Sequence, residues 1–366
     1  MEAIREEIAA HGPIPFERFM ELALYGPGGF FASDKLRSVA AGDFLTSPEV
    51  SPLFGATLAG FARSERDRIG EPFQVIDLGA GSGSLLSSLL VELPVEAWAI
   101  EASPAARLAL AAVVPFERVL SSIADLPSPT RGVVIANELV DNLPTALAQL
   151  TASGWRERWV GTEDKKFVFV DAPTRPQVAD WIDRFAGPVD VGGWVECQLA
   201  AIGWLEAILA RLSAGTLLII DYGETAENLA HRRADGTLRT YRAHHLGPHP
   251  LDEPGATDIT SDVNFSALLA TCEDAGWESE LMRQDDFLNL WGLGDRLRDL
   301  RRQELEAAGV DQKYQLELRS RRTAGETLVH ERGLGDFRVL IARPRNEGTH
   351  RPFSQKTNYT VSRYYS

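Results

Sequence analysis

Apolar and polar positions form blocks along the middle of the chain, and these blocks predict its elements. From residue 72 onward, short apolar runs bounded by turn-forming residues are separated by segments of helical periodicity. Such runs are typical of buried parallel strands, and strands that alternate with helices indicate a doubly wound sheet. The predicted strands are 73–78, 97–101, 132–137, 216–222, 277–283 and 335–343. We therefore expect an α/β fold, with a Rossmann-like sheet and helices on both of its faces.

The segments around this sheet predict how the chain is divided. The predicted regions are an N-terminal helical or lid segment (1–68), a main domain (69–343) with insertions at about 145–172, 224–262 and 285–332, and a disordered tail (344–366). Residues 155–170 predict a β-hairpin, whereas residues 224–262 lack periodicity. Long irregular segments inside a domain are usually functional. We therefore expect residues 42–49 and 236–260 to cover a site, although loops of this composition are also common as plain turns.

Composition and charge narrow the functional classes. The 366 residues are 44% hydrophobic and 24% charged, as in globular proteins, and the formal net charge is −15. An acidic chain repels phosphate, so we expect neither nucleic acid nor an anionic membrane as a partner, although a local basic groove is not excluded. The two cysteines, Cys197 and Cys272, do not suffice for a zinc knuckle or a disulfide scaffold. They suit a reducing compartment, and the chain start lacks signal or transit features. The predicted location is therefore the cytoplasm, and the alternative is a mature protein that has already been trimmed.

A glycine-rich loop follows the first predicted strand. Gly79, Gly81 and Gly83 come after Asp77 and precede a helix start, so a ligand can approach the backbone and free N–H groups. A dinucleotide fingerprint would need Gly or Ala at position 84, which is Ser84. The G-x-G-x-G pattern after an acidic strand end resembles the S-adenosylmethionine loop of class I methyltransferases. In that interpretation Asp77 attracts the ammonium group of the ligand. The alternative is a plain turn.

The next strand ends in an acidic residue, Glu101, eighteen residues beyond Gly83. A carboxylate at this position can accept hydrogen bonds from both hydroxyls of a ribose. The alternative interpretation is a solvated loop acid. The combination of loop, helix and acid strengthens the prediction of an adenosine-containing ligand.

A third signal follows the strand that ends at Ala136. Asn137, Glu138 and Asp141 come directly after it, and ligands of open α/β sheets lie beyond the carboxyl ends of strands. Two carboxylates three residues apart can converge on one substrate group. Alternatively, they only compensate the dipole of a helix start.

Taken together, these segments resemble the MidA-type class I methyltransferases, the family that includes the mitochondrial arginine methyltransferase needed for complex I assembly. The resemblance covers residues 12–343 in order and includes the glycine loop, Asn137-Glu138 and Asp141, Gly154–Arg158, Ile220–Gly223, Gly236–His244 and Leu334–Val339. It departs at Asn142, where the family usually has Ala, at Asn264, where Asp is usual, and at Leu120–Ser122, where a polar run is usual.

The resemblance implies S-adenosylmethionine as the cofactor and a protein arginine as the methyl acceptor. The implied cofactor-binding residues are Thr46, Ser47, Asp77, Gly79, Ala80, Gly81, Gly83, Glu101, Ser122, Ile123 and Asn137. For catalysis we expect Glu138 first and Asp141 second, with His244 as a further base, and we expect no metal. Three functions stay open at this point, namely a protein methyltransferase, a small-molecule methyltransferase and a cofactor-binding assembly factor without catalysis. A homodimer is left open.

Overall fold

The computed structural model describes residues 1–32, 46–232, 235–242 and 245–345. The helices are α1 (Glu2–His11), α2 (Phe16–Tyr25), α3 (Ser47–Val50), α4 (Leu53–Ile69), α5 (Ser84–Glu92), α6 (Pro104–Leu110), α7 (Pro176–Phe185), α8 (Leu199–Leu209), α9 (Ala226–Arg232), α10 (Phe265–Asp274), α11 (Gln284–Leu290), α12 (Leu293–Ala307) and α13 (Gln312–Thr327). The strands are β1 (Ile14–Pro15), β2 (Gln74–Leu78), β3 (Glu96–Ile100), β4 (Val119–Leu120), β5 (Thr130–Asn137), β6 (Ala146–Thr151), β7 (Gly154–Glu163), β8 (Lys166–Pro173), β9 (Trp194–Cys197), β10 (Leu212–Asp221), β11 (Gly223–Glu224), β12 (Arg239–Arg242), β13 (His245–Leu246), β14 (Asp258–Thr260), β15 (Val263–Asn264), β16 (Trp277–Arg283) and β17 (Arg338–Pro344).

The predicted central sheet is confirmed. Seven strands form it in the order β16-β17-β10-β5-β2-β3-β4. The pairs from β10 to β4 are parallel, and only β17 runs against its two neighbours. All six predicted strands belong to this sheet, and the seventh, β4, has only two residues and therefore no readable periodicity.

Alternating residues of the central strands enter two separate cores. In β5, Val133 and Ile135 pack against α4 and α5, whereas Val134 and Ala136 pack on the opposite side with α8 and α10. Because successive side chains of a strand point to opposite faces, a strand covered on both faces must be apolar at nearly every position. This explains the continuous apolar runs in the sequence and places helices on both faces of the sheet.

The predicted hairpin is part of a larger second sheet. Strands β7 and β8 pair along their length, and β7 also pairs with β6 and β1, while β6 continues to β9. Helix α1 packs against this sheet through Ile4 and Ile8, and α2 packs through Phe16 and Phe19. The segment 224–262 is more regular than its sequence indicates, because it contains α9 and the small sheet β13-β12-β14. The boundaries of the domains stay a prediction.

Three of the strands bring their carboxyl ends to one edge of the central sheet. In the registers of the sheet, Leu78 lies beside Ala136, and Asn137 lies beside Ile220. The segments that follow β2, β5 and β10 are therefore neighbours in space, although they are far apart in the sequence. Within the described residues, no helix is both long enough and apolar enough to traverse a lipid bilayer.

Candidate active site

A cavity of about 340 Å³ opens at this edge of the sheet. Ten of the fourteen residues that the sequence predicts for the site border it. They are Thr46, Asp77, Gly79, Ala80, Gly81, Glu101, Ser122, Ile123, Asn137 and Glu138. The cavity therefore brings the glycine loop, the end of β3 and the end of β5 together, as the sequence predicts.

The glycine loop has a backbone that other residues rarely adopt. Gly79, Gly81 and Gly83 have φ angles of 69°, 53° and 86°, in the left-handed region that favours glycine. A Cβ at Gly79 would also lie 2.7 Å from the Cδ1 atom of Leu139. Gly83 does not border the cavity, and instead it is the N-cap residue of α5. The glycine pattern thus reflects both the close approach to the cavity and the start of the helix.

Glu101 fixes this loop from the neighbouring strand end. Its Oε2 accepts a hydrogen bond from the N–H of Gly81 at 2.9 Å, and its Oε1 accepts one from the N–H of Ser103 at 2.7 Å. Burial raises the pKa of Glu101, while these two N–H groups act in the opposite direction. The carboxylate therefore lies in the cavity wall with its orientation already set.

Asp77 is an acid without a compensating partner. It is only 2% exposed, and its Oδ2 atom has no hydrogen-bond partner among the described residues. Burial and the neighbouring charge of Glu101 raise the pKa of Asp77 to about 8. A bound cation or N–H donor would satisfy this carboxyl group, since buried polar atoms are rarely left unpaired.

Glu138 has the most unusual backbone in the site. Its φ angle is 51°, which is uncommon for a residue with a side chain. Its Oε1 accepts hydrogen bonds from the N–H of Ser47 at 2.9 Å and from the side-chain amide of Asn137 at 3.2 Å. Among the described residues, no hydrogen bond or ion pair reaches Oε2. Burial, with a smaller effect of the Asp141 charge, raises the pKa of Glu138 to about 8.

Asp141, the second predicted catalytic acid, does not border the cavity. It is 4% exposed, and its Oδ2 accepts the hydroxyl hydrogen of Tyr222. Burial raises the pKa of Asp141 to about 6. The chain turns sharply after Glu138, so residues three apart do not converge here as a regular helix would allow. The expectation that both acids face one substrate group is therefore not met.

Other expectations have different outcomes. Ser47 is fully buried and does not border the cavity, and its backbone N–H binds Glu138 instead. His244 and residues 42–45 lie outside the described residues, so their predicted roles stay predictions. None of the described residues in 236–260 borders this cavity. Asp258 instead supports its wall by accepting a hydrogen bond from the side-chain amide of Asn142 at 2.8 Å.

The sequence does not single out several individual residues of the site, although Glu49 belongs to the segment 42–49 that is predicted to cover it. Glu49 borders the cavity, and its Oε1 accepts hydrogen bonds from the hydroxyls of Ser82 and Ser84. Together with the bond from Ser47 to Glu138, this contact ties α3 to both the glycine loop and the end of β5. Tyr25 and Phe31 also line the cavity, with ring centroids 5.5 Å apart. These two residues bound the Gly- and Pro-rich segment 25–31, but this composition does not reveal which rings face inward.

Asp221, at the end of β10, is a further residue that periodicity assigns only to a strand end. It is fully buried, and its carboxylate accepts hydrogen bonds from the backbone that follows Glu138. Burial and the charges of Asp141 and Glu138 raise the pKa of Asp221. In the part of the chain that the structure describes, no group of three or more His, Cys, Asp or Glu side chains is arranged to hold a metal ion.

Comparison with known proteins agrees with this geometry. A family model of S-adenosyl-L-methionine-dependent methyltransferases matches residues 57–282, more than half of the chain. The protein arginine methyltransferase NDUFAF7 homolog, mitochondrial, of Drosophila melanogaster is 27% identical over 314 residues, which are 75% of this chain and 70% of that protein. The human protein arginine methyltransferase NDUFAF7, mitochondrial, is 28% identical over 338 residues, or 80% and 73% of the two chains.

A solved structure is similar over nearly the whole chain. The crystal structure of a candidate methyl transferase from Burkholderia thailandensis, bound to S-adenosyl-homocysteine, has a TM-score of 0.80 to this chain. The two are 32% identical, and the match covers 94% of this chain and 91% of that chain. The residues present also fit S-adenosylmethionine, because Asp77 suits its ammonium group, Glu101 its ribose hydroxyls and the glycine loop its close approach. The chain therefore belongs to the MidA-type family of S-adenosylmethionine-dependent methyltransferases.

Proposed function

We propose that this methyltransferase transfers the methyl group to an arginine side chain of a protein. One observation carries the proposal. Glu138 presents a carboxylate oxygen in the cavity that no cation of the described residues compensates, while its other oxygen is anchored by Ser47 and Asn137. A half-buried carboxylate oxygen without a hydrogen-bond partner favours a cationic acceptor. The relatives named above, which are 27% and 28% identical, are themselves named protein arginine methyltransferases.

The aromatic part of the cavity supports the same acceptor. Tyr25 and Phe31 are stacked, with an angle of 21° between their planes, and both border the cavity that contains Glu138. A guanidinium group is planar, always charged and less strongly hydrated than an ammonium group, so it packs well on aromatic faces. It can also bind a carboxylate through N–H groups with defined direction. An arginine side chain therefore suits the two kinds of surface that this cavity offers.

The chain's own residues can then perform the remaining steps. S-adenosylmethionine, when bound, supplies the methyl group as part of a sulfonium, and the glycine loop with Asp77 and Glu101 would hold it. Alignment of donor and acceptor can contribute on the order of 7–11 kcal/mol to the rate. Glu138 Oε2 orients the guanidinium nitrogen. As the new N–CH₃ bond forms, the S–CH₃ bond of the sulfonium would break and leave a neutral thioether. The guanidinium nitrogen loses one proton, and Oε2 of Glu138 accepts it before releasing it to solvent.

A labelling experiment tests this proposal. The purified protein is incubated with tritiated S-adenosylmethionine and a lysate of its own organism, and labelled material is separated into protein and small-molecule fractions. We expect label in protein, and mass spectrometry of the labelled peptides should find methylarginine. Label in a small molecule would favour the alternative of a small-molecule methyltransferase. Intact cofactor binding without any transfer would favour an assembly factor that does not catalyse.

A Glu138→Gln variant is the matched control for the labelling. It should bind the cofactor and transfer no more label than a boiled sample. Cellular location and oligomeric state stay predictions from the sequence, while both relatives named above are called mitochondrial.

A further inference from the structure

The carboxylate of Asp221 accepts hydrogen bonds from the backbone that follows Glu138. Its Oδ2 accepts hydrogen bonds from three consecutive N–H groups, those of Leu139 at 3.2 Å, Val140 at 2.9 Å and Asp141 at 3.2 Å. Its Oδ1 accepts one from the N–H of Tyr222 at 2.9 Å. Asp221 is fully buried and does not border the cavity. It therefore cannot touch a ligand in that cavity, but it is bonded to the turn on which Glu138 lies.

That turn needs external support. Glu138 has a left-handed φ of 51°, and conformations of this kind persist only where the surroundings over-determine them. The N–H of Glu138 donates to the carbonyl oxygen of Ile220 at 2.8 Å, which is the last ladder bond between β5 and β10. The next three N–H groups converge on a single oxygen of Asp221. Three donors can meet at one point only if the backbone turns tightly, as it does in the short 3₁₀ helix Val140–Asn142.

We infer that Asp221 is a positioning residue that holds Glu138 in its left-handed conformation, with its carboxylate directed into the cavity. The inference rests on the proposed role of Glu138. The anchor lies on β10, next to β5 in the sheet, so the rigid sheet itself sets the direction of the Glu138 side chain. Residues bonded to such a rigid element are held more precisely than residues on a free loop.

The hydrogen bonds of Asp221 require a side chain with two acceptor oxygens. A carboxylate has two acceptor oxygens, and here both face N–H donors only. Asparagine has the same shape, but its NH₂ group would face either the N–H of Tyr222 or the three N–H groups of the turn. On one side of residue 221, the NH₂ group would then face a backbone N–H, and two donors would meet without an acceptor. The charged groups near the turn, Asp141 and Glu138, would remain in place.

Hydrogen exchange measured by mass spectrometry tests the anchor without any acceptor. In Asp221→Asn we expect the peptide that covers residues 138–143 to exchange at least tenfold faster than in the wild type, because one amide oxygen cannot accept from both the turn and the N–H of Tyr222, so the anchor is weakened. The peptide that covers residues 77–84 should keep its exchange rate, and the affinity for S-adenosyl-homocysteine should stay within about threefold. If Asp221→Asn does not fold, Asp221→Ser provides the same test with a single acceptor oxygen.

Transfer of tritium to the labelled fraction, whatever its identity, gives the second readout. Asp221→Asn should lose at least tenfold in turnover with little change in cofactor affinity. The matched control is Glu65→Gln, a buried acid of α4 that accepts bonds from Arg68 and Arg343 and does not touch the turn. It should lower the melting temperature but keep turnover and the exchange of residues 138–143. Equal loss of turnover in both variants at matched stability would overturn the inference.

Comparison with Glu138→Gln separates this inference from the proposed function. If Glu138→Gln is inactive while Asp221→Asn keeps full turnover, Asp221 does not position Glu138 and only the inference fails. If Glu138→Gln keeps its turnover, the proposed role of Glu138 fails and the inference fails with it. If label enters a small molecule but both variants are inactive, the arginine acceptor is wrong and the positioning role is supported.

Discussion

Replacing Glu138 by glutamine removes the group that ionises while keeping the shape of the side chain. The amide oxygen can still accept the bond that the N–H of Ser47 donates at 2.9 Å. Cofactor affinity should stay within about twofold, because Glu101 and the glycine loop lie on other elements of the cavity wall. If Oε2 of Glu138 orients a cationic acceptor and takes its proton, turnover should fall by roughly 10²–10⁴.

The same substitution should change how stability depends on pH. Burial raises the pKa of Glu138 from an ordinary 4.5 to about 8, so the folded protein holds a proton that the unfolded chain has released. The wild type therefore loses stability as the pH rises from 4.5 through 8, and the loss is complete above 8. The full difference corresponds to at most about 5 kcal/mol. Because the side chain is only half-buried, we expect roughly 1–3 kcal/mol.

Glutamine does not titrate, so Glu138→Gln should escape this loss. Denaturant unfolding at pH 5, 7 and 9 should show that the free energy of unfolding of the variant increases relative to that of the wild type as the pH rises. Glu117→Gln, at an exposed position, is the control and should follow the wild type at every pH. Near-normal turnover in Glu138→Gln would defeat the catalytic role. A stability difference that does not change with pH would refute the titration of Glu138 in this range.

Three further predictions concern the pH profile of kcat/KM, the binding of the cofactor product and the role of helix α3. For the wild type, kcat/KM should rise about tenfold per pH unit up to about pH 8 and then level off, because only the deprotonated Glu138 accepts a proton. A flat profile of kcat/KM from pH 6 to 9 would contradict this prediction. Gly81→Val should abolish binding of S-adenosyl-homocysteine in calorimetry, because the φ angle of Gly81 is 53°. Glu101→Ala should weaken the binding of S-adenosyl-homocysteine by roughly 1.5–3 kcal/mol. A variant with unchanged affinity would show that its residue does not belong to the site. Glu49→Ala removes the carboxylate that binds the hydroxyl of Ser82 in the glycine loop and that of Ser84 at the start of α5. S-adenosyl-homocysteine should therefore dissociate roughly 3–10 times faster in stopped-flow measurements, and an unchanged rate would show that α3 does not hold the ligand in place.

The sequence determined those features that depend on local chemistry. Strands buried on both faces must be apolar at nearly every position, so β2, β3, β5 and β10 were visible as uninterrupted runs. The glycine loop was equally visible, because positive φ angles strongly favour glycine. The sequence also predicted that Glu101 lies beside the glycine loop, because neighbouring parallel strands bring their carboxyl ends to the same edge of the sheet.

Only the tertiary structure decided which side chains face the cavity. Glu138 and Asp141 are equivalent by spacing, yet the left-handed turn directs the first into the cavity and the second toward Tyr222. The contact between Asp221 and this turn joins residues about 80 positions apart, and it depends on the pairing of β5 with β10. Strands of two residues such as β1 and β4 carry no period, and their existence depends on partners supplied by distant parts of the chain. Periodicity records whether a residue is buried, whereas the direction of a polar side chain at a strand end is set by the hydrogen-bond donors that folding brings beside it.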